Sequence, residues 1–331
     1  MRFTRAGRAS LAAAGTLAVA LAAAACSGSS AGTTSATTSA HLEKTSLVVG
    51  ALPVVDTAGL YLAQKEGYFR DAGLNVTIQP IPTSPQAIQE MVHGQVDIVA
   101  GANYVSFLQA DASGHVGQFK ILVDGQSCSP DTFEILALPG SRITSPASLV
   151  GKTIAVDVPN NIQTLLTNTA LQTAGISPSA VHYRVIPFPK MAAALSAHQV
   201  DAISVVEPFI TAAELAYGAQ PIMSTCTGPT GNFPMSGYFS TQAWAQKYPN
   251  TARAFQAAMD RAQALADASR AAVEQVLPNY IKGLTQEQAA VVNLGQFPTS
   301  LDYTHVQRVA ELMINGGLIN PNFTVQPLLF H

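Results

Sequence analysis

Apolar residues recur along this chain at two spacings in alternation, every second residue and every third or fourth. The pattern is clearest between residues 151 and 210. A β-branched run from Thr153 to Val158 predicts a strand, and Pro159, Asn160 and Asn161 predict the turn after it. Ile162 to Ala174 carries helical spacing and stops at Gly175. A strand at Val185 and Ile186, a helix around Met191 to Leu195 and a strand from Ala202 to Val206 follow, the last ending at Glu207-Pro208-Phe209. Strands alternating with helices of this length predict βαβ units and a parallel sheet. Ligands of open α/β sheets collect outside the carboxyl ends of the strands.

The same succession begins at Leu47. A strand, LVVGALP, runs into the loop Val54-Val55-Asp56-Thr57, and a helix is predicted over Gly59 to Glu66. Asp56 or Thr57 suits the N-cap, and for Asp56 both a capping role and a ligand contact are open. A strand over Leu74 to Gln79, a helix over Pro85 to His93 and a strand over Val96 to Gly101 come next; Ala102-Asn103-Tyr104 then opens another helix. Ile121 to Val123 reads as a strand giving way to a turn-rich stretch, DGQSCSP. Phe133 to Leu138 starts a new strand, and Met223 to Pro234 is a second irregular stretch. Beyond Tyr238 the composition turns helical, with helices predicted over Thr241 to Tyr248, Thr251 to Val276, Thr285 to Leu294 and Asp302 to Asn315. These are rich in good helix formers, and Pro249 and Pro278 punctuate them.

Composition adds the compartment. The 331 residues are 48% hydrophobic and only 11% charged, ample for a sizeable core, and the net charge of −3 offers no basic face to nucleic acid. Residues 1–25 read as an export signal, with Arg2, Arg5 and Arg8 ahead of an alanine-rich apolar run too short to span a membrane. The string LAAAAC then ends on Cys26. It resembles a bacterial lipobox, in which the cysteine is acylated, except that Ala23 stands where that pattern has leucine. Ala23-Ala24-Ala25 also fits an A-x-A site for plain secretion. Residues 26–45, rich in Ser, Thr, Gly and Ala, make a flexible tether of the kind an anchored domain needs. Within it Gly28-Ser29-Ser30-Ala31-Gly32 imitates a nucleophile elbow, but without the strand and helix that device requires. Cys128 and Cys226 remain; outside the cytoplasm an isolated pair forms a disulfide or stays as two buried thiols.

Four strings taken together, GLYLAQKEGYFRDAGLNVTI, GQVDIVAG, LVGKTIAV and AALSAHQVDAISVVEPF, resemble solute-binding proteins of bacterial ABC importers. The group is that of the nitrate/sulfonate/taurine and thiamine-pyrimidine precursor binders, and the similarity extends to VQRVAELMINGGLI near the C-terminus. The resemblance implies an α/β fold of the type II periplasmic-binding-protein kind: two lobes, mixed sheets flanked by helices, two crossovers at the hinge and a ligand cleft between the lobes. On that plan residues 46–127 begin lobe 1, 128–224 form lobe 2, and 225–331 return to lobe 1 and add its C-terminal helices. A bridge between Cys128 and Cys226 would then brace the hinge. The resemblance also implies a monomer outside the cytoplasm, anchored by a lipid on Cys26 or secreted, that delivers a small organic solute to a membrane permease. A sensor domain for a signalling partner and an enzyme built on the same fold are the alternatives.

Enzyme motifs are hard to find. Val150-Gly151-Lys152-Thr153 ends like a phosphate loop, but Pro146 stands where its first glycine belongs and the Lys-Thr pair begins a strand. There is no H-E-x-x-H and no C-x-x-C, and the seven histidines are scattered, so neither metal nor cofactor is expected. Asp97 and Asp201 occupy matching places in two QVD motifs and read as structural residues at strand starts. The ligand shell expected from the strand ends is Asp56, Thr57, Asn103, Tyr104, Gln126, Ser127, Asn160, Asn161, Glu207 and Phe209, with Tyr104 and Phe209 able to sandwich an apolar part of the solute. None of these turns carries Arg or Lys, while Asp56 and Glu207 are acidic. Carboxylates repel an anion more strongly as water leaves a closing cleft. That balance leans toward a neutral or amine-bearing solute, such as a pyrimidine-like vitamin precursor, over the sulfonate/nitrate class.

Overall fold

The computed structural model describes residues 41–331, in which ten strands assemble into two five-stranded mixed sheets. In chain order they are β1 (Ser46–Ala51), β2 (Asn75–Pro80), β3 (Ile98–Asn103), β4 (Phe119–Ser127), β5 (Phe133–Ala137), β6 (Thr153–Val156), β7 (His182–Val185), β8 (Ala202–Val206), β9 (Gln220–Ser224) and β10 (Pro234–Thr241). The first sheet has the order β2-β1-β3-β10-β4 and the second β7-β6-β8-β5-β9. Each has three parallel strands, and each is closed by antiparallel ones, β10 in the first and β5 in the second. The export signal, Cys26 and most of the 26–45 tether lie outside the described residues. The tether's described end is docked on the helix Pro249–Ala268: the Glu43 carboxylate accepts the Asn250 and Thr251 amides, at 3.2 and 3.0 Å. There it satisfies donors that a helix N-terminus leaves free.

The predicted βα units are present, with helices at Ala58–Lys65, Ser84–Val92, Ile162–Thr173 and Phe188–Ser196. Departures fall where burial hides the periodicity. β10 lies in a stretch read as irregular up to Pro234 and helical after Tyr238. It is paired on both sides and buried along nearly its whole length, so no polar alternation marks it. β4 runs on through Asp124-Gly125-Gln126-Ser127, read as a turn, because those polar residues sit inside the sheet with Asp124 bonded by Tyr104. The helix predicted over 251–276 breaks at Ser269, which caps a second helix, Arg270–Tyr280, by accepting the Ala272 amide. Pro278 lies inside that second helix, and only Gln286–Ala289 of the segment 285–294 is helical.

Two aspartates set the parallel strands. Asp97, just before β3, accepts the Val48 amide of β1 at 2.9 Å, together with Lys44 and the Trp244 indole. Asp201, just before β8, accepts the Thr153 amide of β6 at 2.8 Å. Each clips the third parallel strand of its sheet to the central one. The chain passes between sheets at 128–132 and 225–233, and these crossovers run side by side: the Cys128 amide donates to Phe233 O (2.9 Å) and the Thr225 amide to Phe133 O (3.0 Å). Cys128 and Cys226 meet there as a disulfide with Cα atoms 5.7 Å apart, within the usual range for one.

The largest apolar clusters lie on the two faces of the first sheet. On one, Phe69 and Phe255 stack at 5.4 Å under the helix Pro249–Ala268. On the other, Tyr104, Phe107 and Phe239 pack with Phe133, Ile162, Leu165 and Leu166, so the halves carrying the two sheets share this cluster.

Candidate functional site

A cavity of about 60 Å³ lies where the carboxyl ends of the two sets of parallel strands face each other. Every parallel strand contributes to its lining. Leu52, Val54 and Asp56 follow β1; Ser84 follows β2; Gly101 and Asn103 end β3. From the other sheet come Asp157, Val158, Asn161, Ile162 and Gln163 after β6, Phe188 after β7 and Val206 at the end of β8. Phe133 of β5 and Met235 and Ser236 of β10 complete it. The volume is well below the several hundred Å³ of typical drug-sized sites.

Local sequence explains each position. Asn103 caps the helix Tyr104–Ser113, its Oδ1 accepting the Ser106 amide at 2.9 Å, and its Nδ2 donates to Ser84 Oγ. Asn161 caps the helix Ile162–Thr173 by accepting the Gln163 amide. The Gln163 side chain accepts the Asp157 amide (2.7 Å) and donates to Ser204 O of β8 (2.6 Å), holding the Asp157 backbone against the sheet. Gly101 has φ +70°, and a Cβ there would lie 2.3 Å from Thr57 Cγ2, so glycine is the residue that fits this close approach.

The electrostatics are one-sided. Among the described residues no Lys, Arg or His lines the cavity, while Asp56 enters from one sheet and Asp157 from the other. Burial pushes both carboxyls up to about 6. The Ser236 hydroxyl beside Asp56 and the Phe188 amide, which donates to Asp157 Oδ1 at 3.3 Å, offset part of that rise. Ser236 Oγ is nonetheless buried without a hydrogen bond of ordinary geometry, and it too lines the cavity.

Of the residues expected from the sequence, the structure brings Asp56, Asn103 and Asn161 to this cavity. Thr57 lies just behind it, its hydroxyl donating to Leu52 O and Val54 O. Tyr104 points into the core and donates to Asp124 at 3.0 Å. Phe209 stacks on Phe188 at 5.1 Å, one ring removed from the lining. Glu207 is buried and accepts the Thr211 amide and hydroxyl and the Asn293 amide, the last tying the end of β8 to the C-terminal part of the chain. Gln126 is buried in β4, Ser127 lines a different cavity beside Asn232 and His305, and Asn160 is exposed. The sequence reading missed Asp157, Phe188, Ser84 and Ser236. Asp157 was legible: β6 ends at Val156, so Asp157 is a first residue beyond a strand, hidden by a strand drawn two residues too long. Ser236 was not, because β10 went unrecognised.

Two like-built sheets with a cavity at their facing strand ends define the periplasmic-binding-protein fold. The chain belongs to the NMT1/THI5-like family, whose sequence model matches residues 55–270. Comparison with curated proteins gives no match. Among solved structures, the alkanesulfonate-binding protein SsuA from Xanthomonas axonopodis pv. citri, bound to MOPS, is 21% identical at a TM-score of 0.72, covering 87% of this chain and 99% of that one. The periplasmic nitrate-binding protein NrtA from Synechocystis PCC 6803 is 16% identical at a TM-score of 0.70, with coverage of 85% and 84%. The desulfurization enzyme DSZB is 15% identical at 0.64, covering 86% and 95%.

Proposed function

We propose that this chain is the extracytoplasmic solute-binding component of an ABC importer. The observation that carries the reading is the cavity itself, lined from all six parallel strands of two like-built sheets. The halves act as lobes hinged at the paired crossovers. A solute that touches both is bound better by the closed form and shifts an open–closed equilibrium toward it. The closed form then presents its surface to a membrane permease. Asp56, Asn103 and Asn161, together with Asp157, Phe188 and Ser236, form the solute shell. The disulfide across Cys128 and Cys226 holds the two crossovers in register, and a lipid on Cys26 keeps a monomeric protein at the outer face of the membrane. On this reading the solute is carried to the permease unchanged.

The test is a thermal-shift screen of residues 41–331 against alkanesulfonates, taurine, nitrate, pyrimidine and thiamine precursors, polyamines and amino acids. A solute at a hundred times its dissociation constant adds about 2.7 kcal/mol of stability, and the hit should be recovered unchanged after incubation. Turnover of the hit, or binding that survives Asn103→Ala and Phe188→Ala undiminished, would sink the reading.

A further inference from the structure

The charge balance of the cavity goes further than the class of protein. Resting on the solute-binding reading above, we propose that the site is built for a compact solute with a protonated amine, gripped between Asp56 of one lobe and Asp157 of the other, and that it rejects oxoanions.

Three independent observations carry this. The two carboxylates line one small cavity from opposite sheets, and neither meets a Lys, Arg or His in the ion pairs formed among the described residues. Asp97 is paired with Lys44 and Asp124 with His305, while the buried Glu207, also without a cation, is satisfied by the Thr211 amide and hydroxyl and the Asn293 amide. Asp56 and Asp157 are half-buried, and a partly desolvated charge without a counter-charge is costly, so one supplied by the solute lowers that cost. Second, Ser236 is 1% exposed, lines the same cavity beside Asp56, and its Oγ has no partner of ordinary hydrogen-bond geometry, so a solute bound at Asp56 would also meet this hydroxyl. Third, the remaining wall of Leu52, Val54, Ile162, Phe188, Val206 and Met235 is apolar. It suits a short hydrocarbon or ring attached to the ammonium group, and Phe188 presents an aromatic face for the cation.

Both aspartates follow the central parallel strand of their sheet, Asp157 directly after β6 and Asp56 in the short 3-10 turn Val55–Thr57 beyond β1. An ammonium group donates up to three hydrogen bonds and can join both carboxylates at once. Closure would therefore bring together two negative charges that repel unless the cation lies between them, so the same pair supplies selectivity and the coupling of binding to closure. An oxoanion would meet both carboxylates with no cation to offset them, and in a site closing to water that repulsion grows.

Benzylamine, benzyl alcohol and benzenesulfonate share a ring and differ in head group, and they make the test. Each is titrated by calorimetry into the wild-type protein and into Asp56→Asn and Asp157→Asn at pH 7.5. The amine should bind at least tenfold more tightly than the alcohol, the sulfonate should not bind, and either substitution should remove the preference for the amine. Both variants should keep a single cooperative thermal transition with a midpoint at or above that of the wild type, which shows that the fold is intact. Binding of the sulfonate above the amine, an amine preference that survives both substitutions, or binding of none of the three overturns the inference. A sulfonate hit would leave the solute-binding reading standing, whereas failure of the broad screen would remove both.

Discussion

The two sheets repeat one plan with different degrees of embedding. Each has three parallel strands joined by helices, an antiparallel neighbour, and an aspartate that clips the third parallel strand to the first. In the first sheet that aspartate also holds Lys44 and the Trp244 indole, and its side chain is 11% exposed. In the second, Asp201 has only Lys152 at 3.6 Å beside its backbone bond, and is 40% exposed. The aromatic clusters follow the same division: rings crowd both faces of the first sheet, while the second is packed mainly by aliphatic residues with Phe188 and Phe209 toward the cleft. The first half is thus the scaffold and the second the lighter partner, although their strand ends supply the cavity about equally.

The strongest way to probe this asymmetry is the pair of buried Asp124 and partly buried His305 under the first sheet. His305 Nδ1 bonds Asp124 at 3.2 Å and its Nε2 reaches Asn232 O, joining the helix Tyr303–Asn315 to the second crossover. The bond to Asp124 raises the His305 pKa, and burial raises that of Asp124. His305→Ala leaves Asp124 buried with only Tyr104, and should cost about 3 kcal/mol in denaturant unfolding. A loss under about 1 kcal/mol would show that the scaffold does not depend on this pair. Next come the two clips: Asp97→Ala should cost about 2 kcal/mol and Asp201→Ala about 1 kcal/mol or less, because the first leaves three partly buried donors without an acceptor and the second mainly one backbone amide. Equal losses would break the comparison.

The smallest effect has the opposite sign. Asp56 and Asp157 titrate near 6 when folded, above the 3.8 of an unperturbed aspartate. Between these values the folded protein holds protons that the unfolded chain has released, so stability falls as pH rises through that window and stays lower above it. Asp157→Asn should therefore raise the melting temperature of the solute-free protein at pH 7.5, by a few degrees for a gain on the order of 1 kcal/mol. The gain should vanish below about pH 4. A gain that is constant with pH would mean that the carboxyl is not strained by burial. A stabilised variant that has lost its solute is the trade expected at a binding site.

The sequence by itself determined the βα units, because their apolar spacing, glycine stops and Asn caps act within a few residues, as at Asn103 and Asn161. It also determined the shortage of cations at the strand ends, which needs only the identity of the turn residues. Only the tertiary structure decided where β10 lies, since a strand buried on both faces carries no alternation. It alone separated Asp56, which lines the cavity, from Glu207, which is occupied by Thr211 and Asn293, and it turned Tyr104 inward to Asp124. The physical reason is range: a cap or a turn is written in neighbouring residues, whereas whether a polar side chain meets a partner or a cavity depends on segments distant in the chain that only folding brings together.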